Sequence, residues 1–230
     1  MLGDLPEDVA AVLIGASRRC RYASNEVIVR EGDPADCIHV IRRGHVAIMV
    51  TTPVGHQLTF TVMGPKESFG ELSLLSGCRR TALARALEAT ETLALDESAL
   101  ARLRRDHPGV NDALLRVLSA QVMRLSARLA EHLYLPVEAR IRRRLLDLCG
   151  VYDEIGGVTT IPLSQDELAE LCGAARPTVN RVLRQDQLRG IIQLGRRRIA
   201  VLDREMLGRR AQLCHPARAG HGRERIQNPR

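Results

Sequence analysis

Tryptophan is absent from this chain, and Tyr22, Phe60, Phe69, Tyr134 and Tyr152 are its only aromatic residues. With aromatics at 2%, any core must be filled by Leu, Val, Ile and Ala. Lysine is scarcer still. Lys66 stands alone, so the 34 basic residues are nearly all arginine, and they leave a formal net charge of +7. Such a balance favours an anionic partner, nucleic acid foremost, although arginine richness also follows genome composition. The six cysteines, Cys20, Cys37, Cys78, Cys149, Cys172 and Cys214, show no C-x-x-C or other ligand spacing. That pattern speaks against a structural zinc site or an iron–sulfur cluster and fits small thiols in a reducing cytosol. Nowhere is there an apolar run long enough to span a bilayer, and none follows a basic flank near Met1, so no membrane partner and a cytoplasmic location are expected. The histidines (39, 45, 56, 107, 132, 215 and 221) lack partners at useful spacing, and no Ser/His/Asp or metal constellation appears; an enzyme is not expected.

What is present is 230 residues, 45% hydrophobic and 27% charged, enough for one large domain or two modest ones. The stretch from Glu26 to Pro65 alternates β-branched runs with the turn clusters EGDPAD, RRGH, TPVGH and MGPKES, the pattern of an antiparallel sandwich or barrel. Gly32, Gly44, Gly55 and Gly64 punctuate it where tight reversals are wanted.

After Pro108 the period changes to that of a long helix. Leu115, Leu118, Val122, Leu125 and Leu129 recur in alternating steps of three and four, a narrow seam suited to a partner helix and hence to a homodimer. The plainer alternative is a helix packed on its own domain. Arg116, Gln121, Arg124 and Arg128 are expected to keep its other faces wet. Pro136 ends the helix and marks a hinge or boundary. A second amphipathic helix follows, with Ile141, Leu145, Leu148 and Cys149 on one face.

Further on, Ser164 and Glu167 form a capping box that predicts a helix from Gln165, stopped by Gly173. A second helix is predicted from about Arg176, with Pro177 tolerated in its first turn and Val179, Val182 and Leu183 inward. Two short helices joined by a glycine turn make a helix-turn-helix. Arg176, Pro177, Thr178, Asn180, Arg181 and Arg184 then face outward, and Arg and Asn are the side chains that read guanine and adenine in a major groove. Two β-rich runs about Gly195 form a wing with Arg196, Arg197 and Arg198 at its tip, placed for phosphates.

One segment remains, FGELSLLSGCRRTA, which sets Gly70 and Glu71 ten residues before Arg80 and Thr81. A short helix starting near Glu71 would aim the N–H groups of Gly70, Glu71 and Leu72 at an anion, with Arg80 as a planar cationic fork and Thr81 adding donors. A bland alternative is an internal Glu71–Arg80 ion pair closing the roll. In this order of parts the segment resembles the phosphate-binding cassette of cyclic-nucleotide-binding domains. The chain to about Met206 resembles the CRP/FNR family of bacterial transcription regulators.

The resemblance implies an α+β fold: an N-terminal antiparallel β-roll over residues 1–108, a dimerisation helix and hinge over 109–135, and a winged helix-turn-helix over 136–208; the basic stretch 209–230, rich in Arg, Gly and Pro without an apolar period, is expected to be an unstructured tail. It implies a cyclic nucleotide ligand, cAMP foremost, with Glu71 taking the ribose 2′-hydroxyl. Double-stranded DNA with two-fold half-sites and RNA polymerase are the implied partners, without metal, iron–sulfur cluster or haem. At the adenine end the family's Thr and its polar neighbour fall on Leu125 and Ser126, and only Ser126 can hydrogen-bond a base. Pro177 stands where many members carry a Glu, so the DNA site should differ there. A regulator gated by nucleotide, a constitutive DNA-binding protein with a structural cassette, and a regulatory subunit of an enzyme all remain open at this point.

Overall fold

A computed structural model describes residues 7–52, 55 and 57–212. Helix α1 (Glu7–Ala16) leads into β1 (Arg18–Tyr22), β2 (Val27–Val29), β3 (Cys37–Arg43), β4 (Val46–Thr51), β5 (Gln57–Met63) and β6 (Ser68–Phe69). A short helix α2 (Glu71–Ser76) then precedes β7 (Leu83–Ala86) and β8 (Thr90–Asp96). These strands make two four-stranded antiparallel sheets, ordered β1-β8-β3-β6 and β2-β7-β4-β5. Between them Ile41, Val46, Met63, Phe69 and Ala84 form the roll's interior. Sequence neighbours β3 and β4 lie in different sheets. The chain crosses at Gly44, whose φ is +84° and where an added Cβ would fall only 2.6 Å from Thr90 Oγ1. At the fourth expected glycine reversal the left-handed residue is Lys66 (φ +73°), not Gly64, which packs against Val151.

Asp96 caps α3 (Glu97–Asp106) by accepting from the Ala99 N–H at 2.7 Å. Pro108 separates it from α4 (Gly109–Tyr134). The first turns of α4 are anchored, since Val110, Ala113 and Leu114 pack with Leu13, Leu95, Leu100 and Leu103. Leu135 is extended (φ −103°, ψ 141°), as the residue before a proline must be, and α4 ends there.

The C-terminal part runs α5 (Val137–Cys149), β9 (Glu154–Ile155), β10 (Val158–Ile161), α6 (Gln165–Cys172), α7 (Arg176–Leu188), β11 (Ile192–Gly195), β12 (Arg198–Val201) and α8 (Arg204–Gln212). Its four strands form one sheet ordered β11-β12-β10-β9, packed on Ile141, Leu145, Leu168, Val179, Leu183 and Leu207. Both halves of the capping box are formed, with the Glu167 N–H donating to Ser164 Oγ at 3.2 Å and the Ser164 N–H to Glu167 Oε2 at 2.7 Å. The wing turns at Arg196 and Arg197, the latter at φ +51°, rather than at Gly195, which pairs with Arg198 as the last residue of β11. Helix continues through residues 209–212, correcting the expectation of an unstructured tail from 209; the rest of that tail lies outside the described residues.

The two halves are in contact. Val62 of β5 joins the C-terminal core, the His45 ring stacks on Tyr152 with centroids 4.1 Å apart, and Thr59 Oγ1 donates to Glu170 at 3.3 Å.

Candidate ligand cavity and nucleic-acid interface

Gly70 turns β6 into α2 at φ +86°, and a side chain there would collide with Arg80 Nη1. This close approach is what the glycine provides. Arg80 is buried. It donates from Nη1 to the Gly70 carbonyl at 3.2 Å and from Nη2 to the Cys37 carbonyl and Asp36 Oδ1, each at 2.8 Å. Its carboxylate partner is therefore Asp36, which sequence spacing did not reveal, and the alternative Glu71–Arg80 pair is not formed. Two guanidinium edges are thus occupied by protein, which fixes the fork while leaving Nε for a ligand. Thr81 does not offer its N–H, which donates to Ser73 Oγ at 3.3 Å.

Glu71 is 2% exposed and its Oε1 accepts from Gln121 Nε2 at 2.6 Å. Oε2 is buried and has no partner. Burial raises the carboxyl above its ordinary range, against the opposing effects of the Gln121 hydrogen bond and of the Arg124 and Arg80 charges. Gly70, Glu71, Leu72, Arg80 and Thr81 share the wall of one cavity of about 690 Å³.

The opposite wall corrects the sequence reading of α4. Gln121 and Arg128 are half-buried and Arg124 remains exposed; with Leu125 they line this cavity, and Arg144, Asp147 and Leu148 of α5 extend it. Arg128 Nη2 reaches Thr61 Oγ1 at 3.4 Å, and its guanidinium lies 5.6 Å from the Phe60 ring centroid. Burial, then the Arg144 charge, pulls the Arg128 proton affinity below its ordinary value. Ser126 is not in this wall; it is exposed on α4. Of the seam residues, Leu115, Val122, Leu125 and Leu129 are 47–63% exposed and Leu118 is half-buried; the exposed strip continues through Leu133 and Tyr134.

In the C-terminal part Gly173 (φ +56°) ends α6, and α7 starts at Arg176 with Val179, Val182 and Leu183 buried. Burying those three turns Arg176, Pro177, Arg181 and Arg184 outward, with Thr178 and Asn180 half-buried beside them. Three arginines have acidic partners here: Arg176 with Asp166 (2.9 Å), Arg181 with Glu138 (2.7 Å) and wing residue Arg197 with Glu167 (2.8 Å). Exposed pairs of this kind contribute about 0–1 kcal/mol, little enough for DNA phosphates or bases to displace. Arg196 and Arg198 are exposed at the same tip.

Residues 19–107 match the cyclic nucleotide-binding domain, and residues 139–210 match the Crp-like helix-turn-helix domain. A CRP-like cAMP-activated global transcriptional regulator of Mycobacterium tuberculosis is 34% identical over 194 residues, covering 83% of this chain and 87% of that protein. The chain belongs to the CRP/FNR family of transcription regulators. The cyclic AMP receptor protein of Thermus thermophilus is 31% identical over 205 residues, 89% of this chain and 93% of that one. The crystal structure of a CRP/FNR family transcriptional regulator from the same organism superposes with a TM-score of 0.72 at 25% identity, over 85% of this chain and 98% of that one. The protein is accordingly a DNA-binding regulator and not an enzyme.

One buried cluster of this CRP/FNR regulator had no sequence signal. Asp186 of α7, fully buried, accepts two hydrogen bonds from Arg142 of α5 (2.8 and 3.2 Å) and one from Arg210 of α8 (3.0 Å). It clamps the recognition helix between its neighbours. Only the facing carboxylate, distant in sequence, makes Arg142 an interior residue.

Proposed function

We propose that this CRP/FNR regulator binds two-fold related DNA half-sites as a homodimer joined along α4, and that a cyclic nucleotide, cAMP foremost, held in the cavity sets its DNA affinity. The observation that carries the reading is the unpartnered Glu71 Oε2, buried beside Arg80 in a 690 Å³ cavity. A buried carboxylate oxygen without a donor is costly, and a ribose hydroxyl supplies that donor while the cyclic phosphate meets Arg80 Nε. The exposed apolar strip from Leu115 to Tyr134 supports the dimer, because a surface of this size on one helix is the kind that a second copy covers. A partner's α4 would bring Ser126 toward the base. The protein then acts in the cytoplasm, with RNA polymerase as its partner at promoters.

Titration calorimetry with cAMP and cGMP tests the reading, with Arg80→Ala as control. Binding lost in the variant, together with a roughly 5- to 150-fold gain in DNA affinity on adding nucleotide, is expected. DNA binding indifferent to any nucleotide would favour a second reading, constitutive binding with a structural cassette. Two observations lean that way: Arg80 already has Asp36, and Leu125, which cannot hydrogen-bond a base, lines the cavity.

A further inference from the structure

Among the described residues, two ion pairs join α5 to α7. Glu138, in the first turn of α5, accepts from Arg181 Nη2 at 2.7 Å. About one turn further along both helices, Arg142 donates to the buried Asp186 at 2.8 Å. The buried pair fixes how the helices face each other, so the outer pair is held in register although the Arg181 side chain is 54% exposed. A similar arrangement stands at the start of α6. Asp166, in its first turn, pairs with Arg176 Nε at 2.9 Å, and Glu167 of the capping box spends Oε2 on the Ser164 N–H and Oε1 on Arg197 of the wing. The Arg181 hydrogen bond, foremost, holds the Glu138 carboxyl below its ordinary range, so it is an anion at neutral pH. These acids do not act alike on every DNA contact. An arginine has five N–H donors, and one carboxylate contact leaves others for the neutral O6 and N7 of guanine, which can bond while the carboxylate stays. A phosphate is itself an anion. It gains little from an arginine whose charge is already balanced, and the carboxylate repels it unless displaced.

We propose that Glu138 and Asp166 are specificity-determining residues of the DNA face: they withhold Arg181 and Arg176 from the phosphates of unrelated DNA and leave them to base edges at the cognate site. Both act through their arginines and are positioning residues. The inference rests on the reading that α7 meets base edges. Glu167 is unsuited to testing it, because its loss would also open the start of α6.

The test uses the full chain, wild type and variants, each checked for folding by circular dichroism. The wild type first selects its preferred site from a random-sequence duplex library. Kd for that duplex and for a scrambled one is then measured by fluorescence anisotropy at several salt concentrations, with and without cAMP. Glu138→Gln and Asp166→Asn keep an amide oxygen for the arginine and remove the charge. Each should tighten the scrambled duplex about 2- to 5-fold and the selected one less, so that the preference for the selected site falls. Glu138→Asp keeps the charge and should retain the preference. Glu205→Gln, which removes an equal charge from the exposed pair with Arg209 on α8, should leave the preference unaltered. Equal tightening of both duplexes, no change in either, or the same fall in preference with Glu138→Asp or Glu205→Gln would overturn the proposal; base reading by α7 survives all of these. A wild type that selects no sequence removes base reading, and this inference with it.

Discussion

Gln121 of α4 donates to Glu71 at the start of α2 with an Nε2 to Oε1 distance of 2.6 Å. This bond ties the helix with the exposed leucine strip to the residue that the family resemblance places at a ribose. On the proposed reading, a nucleotide hydroxyl competing for or completing the Glu71 carboxylate would act directly on the position of α4 and so on the proposed dimer face.

Replacing Gln121 by Leu leaves the Glu71 carboxylate buried with neither oxygen bonded to α4. At pH 7 the empty protein should lose about 1 to 3 kcal/mol in urea denaturation. Burial raises the folded-state pKa of Glu71, so the carboxyl protonates as pH falls through that value and the loss should shrink. A loss that stays constant with pH would show that Gln121 acts otherwise.

His39 is stacked on Phe69 at 5.1 Å between centroids, and burial lowers its pKa from 6.5 to about 4. The unfolded chain binds this proton near pH 6.5 and the folded one only near 4. Stability attributable to His39 is therefore full above pH 6.5 and falls between 6.5 and 4, by up to about 3 kcal/mol. His39→Gln should be less stable at pH 7 but show a flatter profile across that window when denaturation midpoints are compared at pH 7, 6 and 5.

Asp186→Ala strands Arg142, which is 3% exposed, with no carboxylate. Removing one member of a buried ion cluster costs about 3 to 5 kcal/mol, so thermal unfolding of the C-terminal half should shift far down while the roll is spared. Equal melting of variant and wild type would mean that the clamp contributes nothing.

At the DNA face Arg181→Ala should cost about 1 to 3 kcal/mol at the cognate site and relax preference at one base, while Arg197→Ala should weaken all sequences alike and reduce the salt slope by about one unit. Identical effects of the two substitutions on random DNA would argue against base reading by α7.

Leu118→Asp combined with Leu125→Asp places carboxylates along the exposed strip of α4 and should give monomers in sedimentation velocity. Leu125→Thr alone should lower DNA binding by the empty protein and enlarge the response to nucleotide. A dimer surviving the double substitution would move the interface elsewhere.

Sequence patterns were most informative where a local rule is strict. Ser164 and Glu167 can satisfy each other only at a helix start, and the formed capping box follows. Gly70 is legible because its backbone approaches Arg80 more closely than any side chain allows. Lys66 and Arg197 were missed because left-handed backbone was assigned to the nearby Gly64 and Gly195, whereas strand register put the reversals elsewhere.

By itself the sequence determined the order of parts, the helix boundaries at Pro108, Pro136 and Gly173, and the buried faces of α5 and α7, because each depends on periodicity or on a residue's own backbone preference. Only the tertiary structure decided that Asp36 holds Arg80, that Gln121 and Arg128 are half-buried against a cavity, and that Arg142 is buried against Asp186. Polar residues at helical spacing look alike from the sequence. Which of them is desolvated depends on what another element, tens of residues away, brings against that face, and that is settled by packing.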